Sequence, residues 1–245
     1  MLTVHEDTLL APPPARPDAV PAPDPWRPSE YTALLIQALT AGPPLPPGAS
    51  ALELGTGSGV VLACLARLGA ARLVGTDIEP AAIGRAAALL AGLGCRADLL
   101  QGDLWAPVAG RRFDLIVANP PQFPTLVPRF PGRRPSWSHG GPDGRRVMDR
   151  ILRGLAAHLA PGGRAVLLHN AVLGLDATAA MLARDGLALR RIGGSLVPLP
   201  PEKRAAMHPR VLADAPEHAL RRLGEHLFLA VEVLEIAAPP APAGG

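Results

Sequence analysis

The residues best suited to do chemistry in this 245-residue chain lie in two short stretches. One is Glu53-Leu54-Gly55-Thr56-Gly57-Ser58-Gly59; the other, later in the chain, is Asn119-Pro120-Pro121-Gln122. The first sets an acid and three alternating glycines between an apolar run, Ser50 to Leu54, and an apolar helical pattern, Val60 to Leu68. Glycine accepts positive φ and lets a ligand approach bare backbone, so a strand, a tight turn and a helix form a ligand loop here. A dinucleotide fingerprint would need glycine where Val60 stands, and the G-x-G-x-G spacing argues against a pyrophosphate-bearing cofactor. Asp77 closes the next apolar run, Arg72 to Thr76, at the distance where an acid receives ribose hydroxyls.

Parallel strands must position these groups. Cys95 to Leu100 reads as a third strand followed by Gly102-Asp103, and Phe113 to Ala118 as a fourth, apolar enough to be buried on both faces. The polar residues then gather at strand ends along one edge of one sheet, where open α/β sheets bind ligands. Ser29 caps a helix from Glu30 to Thr40, and Pro80 opens another that runs to Gly92. Gly140-Gly141-Pro142-Asp143-Gly144-Arg145 introduces a helix through Leu159, ended by Pro161-Gly162-Gly163 before a fifth strand, Arg164 to Leu168. Leu187 to Leu199 and His226 to Ile236 read as the last strands. The insert between them, residues 200–225, is too long for a hairpin and carries Lys203, Arg204, His208, Arg210, Arg221 and Arg222. A helical flap over the site and a dimer contact are both open readings of it.

Composition sets the frame. The length and 48% hydrophobic content suit one substantial core, expected over residues 29–237, with a proline-rich arm at 1–28 and a flexible tail at 238–245. The net charge of +3 is nearly all arginine, since Lys203 is the only lysine, so basicity is weak ground for a nucleic-acid partner. Cys64 and Cys95 have no metal-ligand spacing and read as packing thiols; no metal is expected. Without a charged-then-apolar leader or an apolar run near the ~20 residues that span a bilayer, the expected protein is cytoplasmic and free of the membrane.

Glu53-x-Gly55-x-Gly57-x-Gly59, Asp77, Asp103 and Asn119-Pro120-Pro121, in this order, resemble the class I S-adenosylmethionine-dependent methyltransferases. Within them, the residues are similar to the branch whose Asn-Pro-Pro-aromatic motif methylates glutamine amides or exocyclic amines of bases, and the likeness covers roughly Trp26 to Leu168. Trp26-Arg27-Pro28-Ser29-Glu30-Tyr31-Thr32 resembles the Pro-x-x-x-Thr lead-in that helps cover the cofactor there; packing of Trp26 and Tyr31 on the sheet is an equal reading. The resemblance implies an α/β, Rossmann-like, seven-stranded, mostly parallel sheet with helices on both faces and an antiparallel last strand. It departs from the branch at Gln122, where relatives usually carry Tyr or Phe, and at His169-Asn170, where many place a glutamate.

The implied cofactor is S-adenosylmethionine, with product S-adenosylhomocysteine. The amides from Gly55 to Gly59, Thr56 among them, and the following helix would take its carboxylate and Glu53 its ammonium. Asp77 would take the ribose, with Ile78 beside it, and Asp103 the adenine amino group, with Leu104 packing nearby. Asn119 and the Pro120 carbonyl are the implied catalytic pair: two acceptors on stiff prolines that grip both N–H groups of an amine or amide and aim the nitrogen lone pair. Pro121, Gln122, Phe123, Tyr31 and Trp137 are the candidate substrate contacts. Five arginines, Arg129, Arg133, Arg134, Arg145 and Arg146, read as a solvated loop face or as substrate recognition. An NAD-dependent dehydrogenase and a non-catalytic nucleotide-binding module are the rival classes.

The acceptor expected from the sequence is a nitrogen on a small metabolite, with a protein glutamine amide or an RNA base as alternatives. Three features carry that preference: Gln122 in place of an aromatic ring, about 25 proline-rich residues before Trp26 where bacterial release-factor glutamine methyltransferases have a helical domain, and an irregular acceptor side.

Overall fold

The structure is a computed structural model that describes residues 27–125 and 139–238. Alternation of apolar residues builds its sheet. In β4 (Phe113–Ala118), Leu115 and Val117 join one buried cluster while Ile116 and Ala118 join the other, so the strand is buried on both faces as its composition demands. β1 (Ser50–Leu54) is buried throughout, and β2 (Arg72–Asp77) everywhere but its first residue. With β3 (Asp98–Gln101), β5 (Leu159–Asn170), β6 (Ala188–Pro198) and β8 (His226–Ala237) they form a path ordered β3-β2-β1-β4-β5-β8-β6. β1, β2, β3, β4 and β5 pair parallel, and β8 runs antiparallel to both β5 and β6, which is the reversed last strand expected.

One strand is additional. Short β7 (Leu220–Leu223) pairs with the start of β8, making eight strands in all. It was hidden inside the insert because four residues with two arginines carry no readable alternation. β3 starts at Asp98 rather than Cys95, because the segment after Gly94, at φ +67, turns before it can pair. β5 starts at Leu159 and runs through Pro161-Gly162-Gly163 with a register shift opposite β4, so those residues form an irregular strand start instead of a loop.

Helices cover both faces. α1 (Glu30–Ala41) contributes Leu35 and Leu39, α2 (Val60–Arg67) contributes Val61, Leu62 and Leu65, and α3 (Pro80–Gly92) contributes Leu90 to one cluster. α4 (Met148–His158) contributes Met148, Ile151, Leu152 and Leu155, and α5 (Leu175–Arg184) contributes Leu182, to the other. Within the insert, α6 (Pro201–Ala206) and α7 (Pro209–Ala213) lead into β7. Met207 bridges Thr125 and the His208 N–H donates to the Pro124 carbonyl (2.9 Å), so the insert packs against the segment after Asn119-Pro120-Pro121. That placement makes it a wall of the site.

Candidate active site

The strand ends of β1, β2, β4 and β5 open on one cavity of about 750 Å³. It is lined by Glu53, Gly55, Thr56, Gly57, Asp77, Ile78, Asp103, Leu104, Asn119, Pro120, Pro121, Gln122, Phe123 and Tyr31, so nearly all of the residues singled out from the sequence meet in one place. Gly59 stands behind it. At φ +80 its missing Cβ lets the loop lie against α3, since a Cβ would come within 2.8 Å of the Ala86 Cα. Trp137, Arg129, Arg133 and Arg134, Trp26 and most of the proline-rich arm lie outside the described residues.

Hydrogen bonds revise which amides are free. Gly55 and Thr56 both donate to the Thr76 carbonyl (2.8 and 3.0 Å), Gly59 donates to the Thr56 carbonyl, and Gly57 donates to Asp77 Oδ2 (2.9 Å). Of the expected stretch only the Ser58 N–H lacks a partner among the described residues, and the first-turn N–H groups of Val60 and Val61 join it on the cavity wall. The glycines shape the turn, and the start of α2 supplies the donors. The rule that a helix leaves its first amides unpaired was the signal available for Val60 and Val61.

Two acids face each other across this loop. Glu53 is only 4% exposed and accepts the Thr56 hydroxyl at Oε2 (2.9 Å). Burial, only partly opposed by that hydrogen bond, pushes its pKa up to about 8. Asp77 accepts the Glu79 N–H at Oδ1 as well as the Gly57 N–H, and burial raises its pKa too. A buried carboxyl without a cation beside unpaired amides suits a ligand that brings both an ammonium and a carboxylate. Asp77 keeps lone pairs for hydroxyls. The apolar surface nearby comes from Ile78, which is 56% exposed, and Leu104, held at φ +50. Asp103 also lines the cavity, but its Oδ2 is ion-paired to Arg150 of α4 (2.7 Å).

At the end of β4, Asn119 faces the cavity and its side-chain amide makes no hydrogen bond among the described residues. Gln122 behaves differently from the expected substrate contact. It is 4% exposed, its Nε2 donates to the Leu168 carbonyl (3.2 Å) and its Oε1 accepts the Asn170 N–H (2.6 Å), so both polar ends are engaged on β5. Phe123, half-buried and bridged to His139, also lines the cavity. His169 is fully buried away from the cavity, with Nε2 on the Thr178 hydroxyl (3.0 Å), and burial lowers its pKa to about 4. Arg145 turns inward to Leu173, Thr178 and Asp149, whereas Arg146 of the five arginines and Lys203 of the insert line the cavity; His139 and Asn170 line it without having been singled out as site residues.

Residues 51–127 match the methyltransferase domain family model. Over 119 residues the chain is 43% identical to a release factor glutamine methyltransferase of Moorella thermoacetica, covering 45% of this chain and 42% of that one. Over 153 residues it is 30% identical to a protein described as an N5-glutamine methyltransferase of Methanocaldococcus jannaschii, covering 62% of this chain and 75% of that one. The chain belongs to the S-adenosylmethionine-dependent methyltransferases, in their glutamine methyltransferase branch.

The fold of this methyltransferase is shared with the Mtq2–Trm112 complex of E. cuniculi, responsible for methylating the eRF1 termination factor, at a TM-score of 0.57 and 21% identity over 87% of this chain and 98% of that one. The chain spans about half the length of the release factor relatives it matches. S-adenosylmethionine is the cofactor of the family, and the Glu53 carboxyl, the α2 amides and Asp77 fit it. The relatives overturn the small-molecule expectation, since they are named for protein glutamine acceptors. The physical reason lies at Gln122: the lost ring was taken to change the acceptor side, yet both polar ends of this side chain are bonded to β5. Among the described residues no helix is long and apolar enough to cross a membrane.

Proposed function

We propose that this protein methylates the side-chain nitrogen of a glutamine in a polypeptide, a translation release factor being the favoured substrate. The observation that carries the reading is the Asn119 amide, without a hydrogen bond among the described residues at the end of β4, on a cavity that also holds the cofactor-side acids. The names of the relatives supply the substrate class.

Bound S-adenosylmethionine supplies an electrophilic methyl on a cationic sulfur. Glu53 holds the ammonium once ionised, the N–H groups of Ser58, Val60 and Val61 hold the carboxylate, and Asp77 accepts the ribose hydroxyls. Asn119 Oδ1 and the Pro120 carbonyl each accept one N–H of the glutamine amide. Gripping both hydrogens fixes the nitrogen and favours its pyramidal form, in which the lone pair is less delocalised into the carbonyl. As the nitrogen–carbon bond forms, the carbon–sulfur bond would break to leave S-adenosylhomocysteine, and no base is required because the nitrogen's proton becomes acidic and passes to water. Phe123, Leu199 and the insert wall the acceptor side.

Labelled S-adenosylmethionine added to a lysate of the source cells tests the reading. Label is expected in a protein of release-factor size and to vanish with Asn119→Ala; label confined to nucleic acid or small molecules would overturn it.

A further inference from the structure

The cavity is electrically divided along the sheet. Its three lining acids are Glu53 in β1, Asp77 at the end of β2 and Asp103 after β3; from Asn119 onward the lining residues include His139, Arg146, Arg150 and Lys203 and no carboxylate, and exposed Arg27 lines the cavity from the segment before α1. Two of these cations are already engaged, Arg150 with Asp103 and Arg146 with the His139 carbonyl. Lys203 is different. It is half-buried, lines the cavity from α6, and its ammonium makes no ion pair or hydrogen bond among the described residues. The bridge from Met207 to Thr125 and the His208 bond to Pro124 hold α6 against the acceptor wall. In a chain with 24 arginines and lysines together, this is the only lysine.

We infer that Lys203 reads a carboxylate side chain on the polypeptide substrate, close in sequence to the methylated glutamine; the inference rests on the protein-glutamine reading above. A half-buried cation on the acceptor side of the cavity, with no counter-ion among the described residues, is matched by an anion on the ligand. An ammonium on a flexible stem accepts a carboxylate from several directions, whereas an arginine fork would demand one geometry. A phosphate backbone fits less well. Glu202, Asp214, Glu217 and Glu225 are interspersed with the cations of the insert and would repel a polyanion running across it, whereas a single carboxylate needs only one cation.

Short peptides with a central glutamine test this, with Asp or Glu at each flanking position compared against Asn or Gln. Wild-type protein is expected to prefer one acidic register by about fivefold in kcat/KM, mostly through KM, and the preference should fade with added salt. Lys203→Arg should retain part of it, and Lys203→Glu should reverse it toward a Lys-bearing peptide. Methylation of glutamine peptides with no acidic preference, or a preference that survives Lys203→Glu, would overturn the inference while leaving the glutamine reading intact. Methylation of an RNA oligonucleotide and of no glutamine peptide would overturn both.

Discussion

The Asn170 backbone N–H donates to Gln122 Oε1 at 2.6 Å, in a position where neither residue is more than 4% exposed. With the Gln122 Nε2 bond to Leu168, this makes one side chain act as a short strand partner for the end of β5. Gln122→Ala should leave the buried Asn170 N–H unpaired and cost about 1–3 kcal/mol of stability. Thermal unfolding would register it, at roughly 2–4 °C per kcal/mol. Wild-type stability in Gln122→Ala would mean the side chain is dispensable to the fold.

Glu53 ties cofactor binding to pH. Its carboxyl is mostly protonated at neutrality because burial lifts its pKa to about 8, and a bound ammonium favours the carboxylate. Binding therefore releases a proton below pH 8, and affinity rises with pH until about 8 and then levels. Calorimetry in buffers of different ionisation enthalpy measures the released proton; Glu53→Gln should abolish both the release and the slope. The stability of the free protein is expected to follow the opposite trend. A folded-state pKa above the ordinary 4.5 favours the protonated native form, so Glu53's contribution to stability is full below about 4.5 and is lost as pH rises through about 8.

Leu104 sits at φ +50, a conformation that costs a residue with a Cβ about 1 kcal/mol or more. Leu104→Gly should consequently be more stable than Leu104→Ala by about 1 kcal/mol, reversing the usual order of these two truncations. Both should weaken S-adenosylhomocysteine binding by removing apolar surface. Denaturant titration of the two variants decides it, and Ala more stable than Gly would show the turn relaxes freely.

Much of this was legible in the sequence because local chemistry dictated it. The Gly55 to Gly59 turn, Asp77 at the end of β2 and Asn119 at the end of β4 follow from strand periods and turn residues, and the structure gathers them on one cavity. The acceptor side was harder to read. Whether Gln122 faces a ligand or β5 depends on the register of Leu168 and Asn170, set by the pairing of β5 to both β4 and β8. Met207 meeting Thr125 likewise depends on where β6 delivers the insert. The amides of Gly55, Thr56 and Gly57 read as ligand donors because periodicity cannot reveal that Thr76 and Asp77 take them first.

The proposed reaction grips a polypeptide glutamine at Asn119 and methylates its side-chain nitrogen. Its most direct test is fragmentation mass spectrometry of a purified release factor after incubation with this protein and S-adenosylmethionine, beside the Asn119→Ala variant. The account predicts the mass of one methyl group on a single glutamine side chain, formed at least about a hundredfold more slowly by the variant. A release factor left unmodified while a nucleic-acid base gains the methyl, or a methyl on glutamine that Asn119→Ala transfers equally fast, would contradict it.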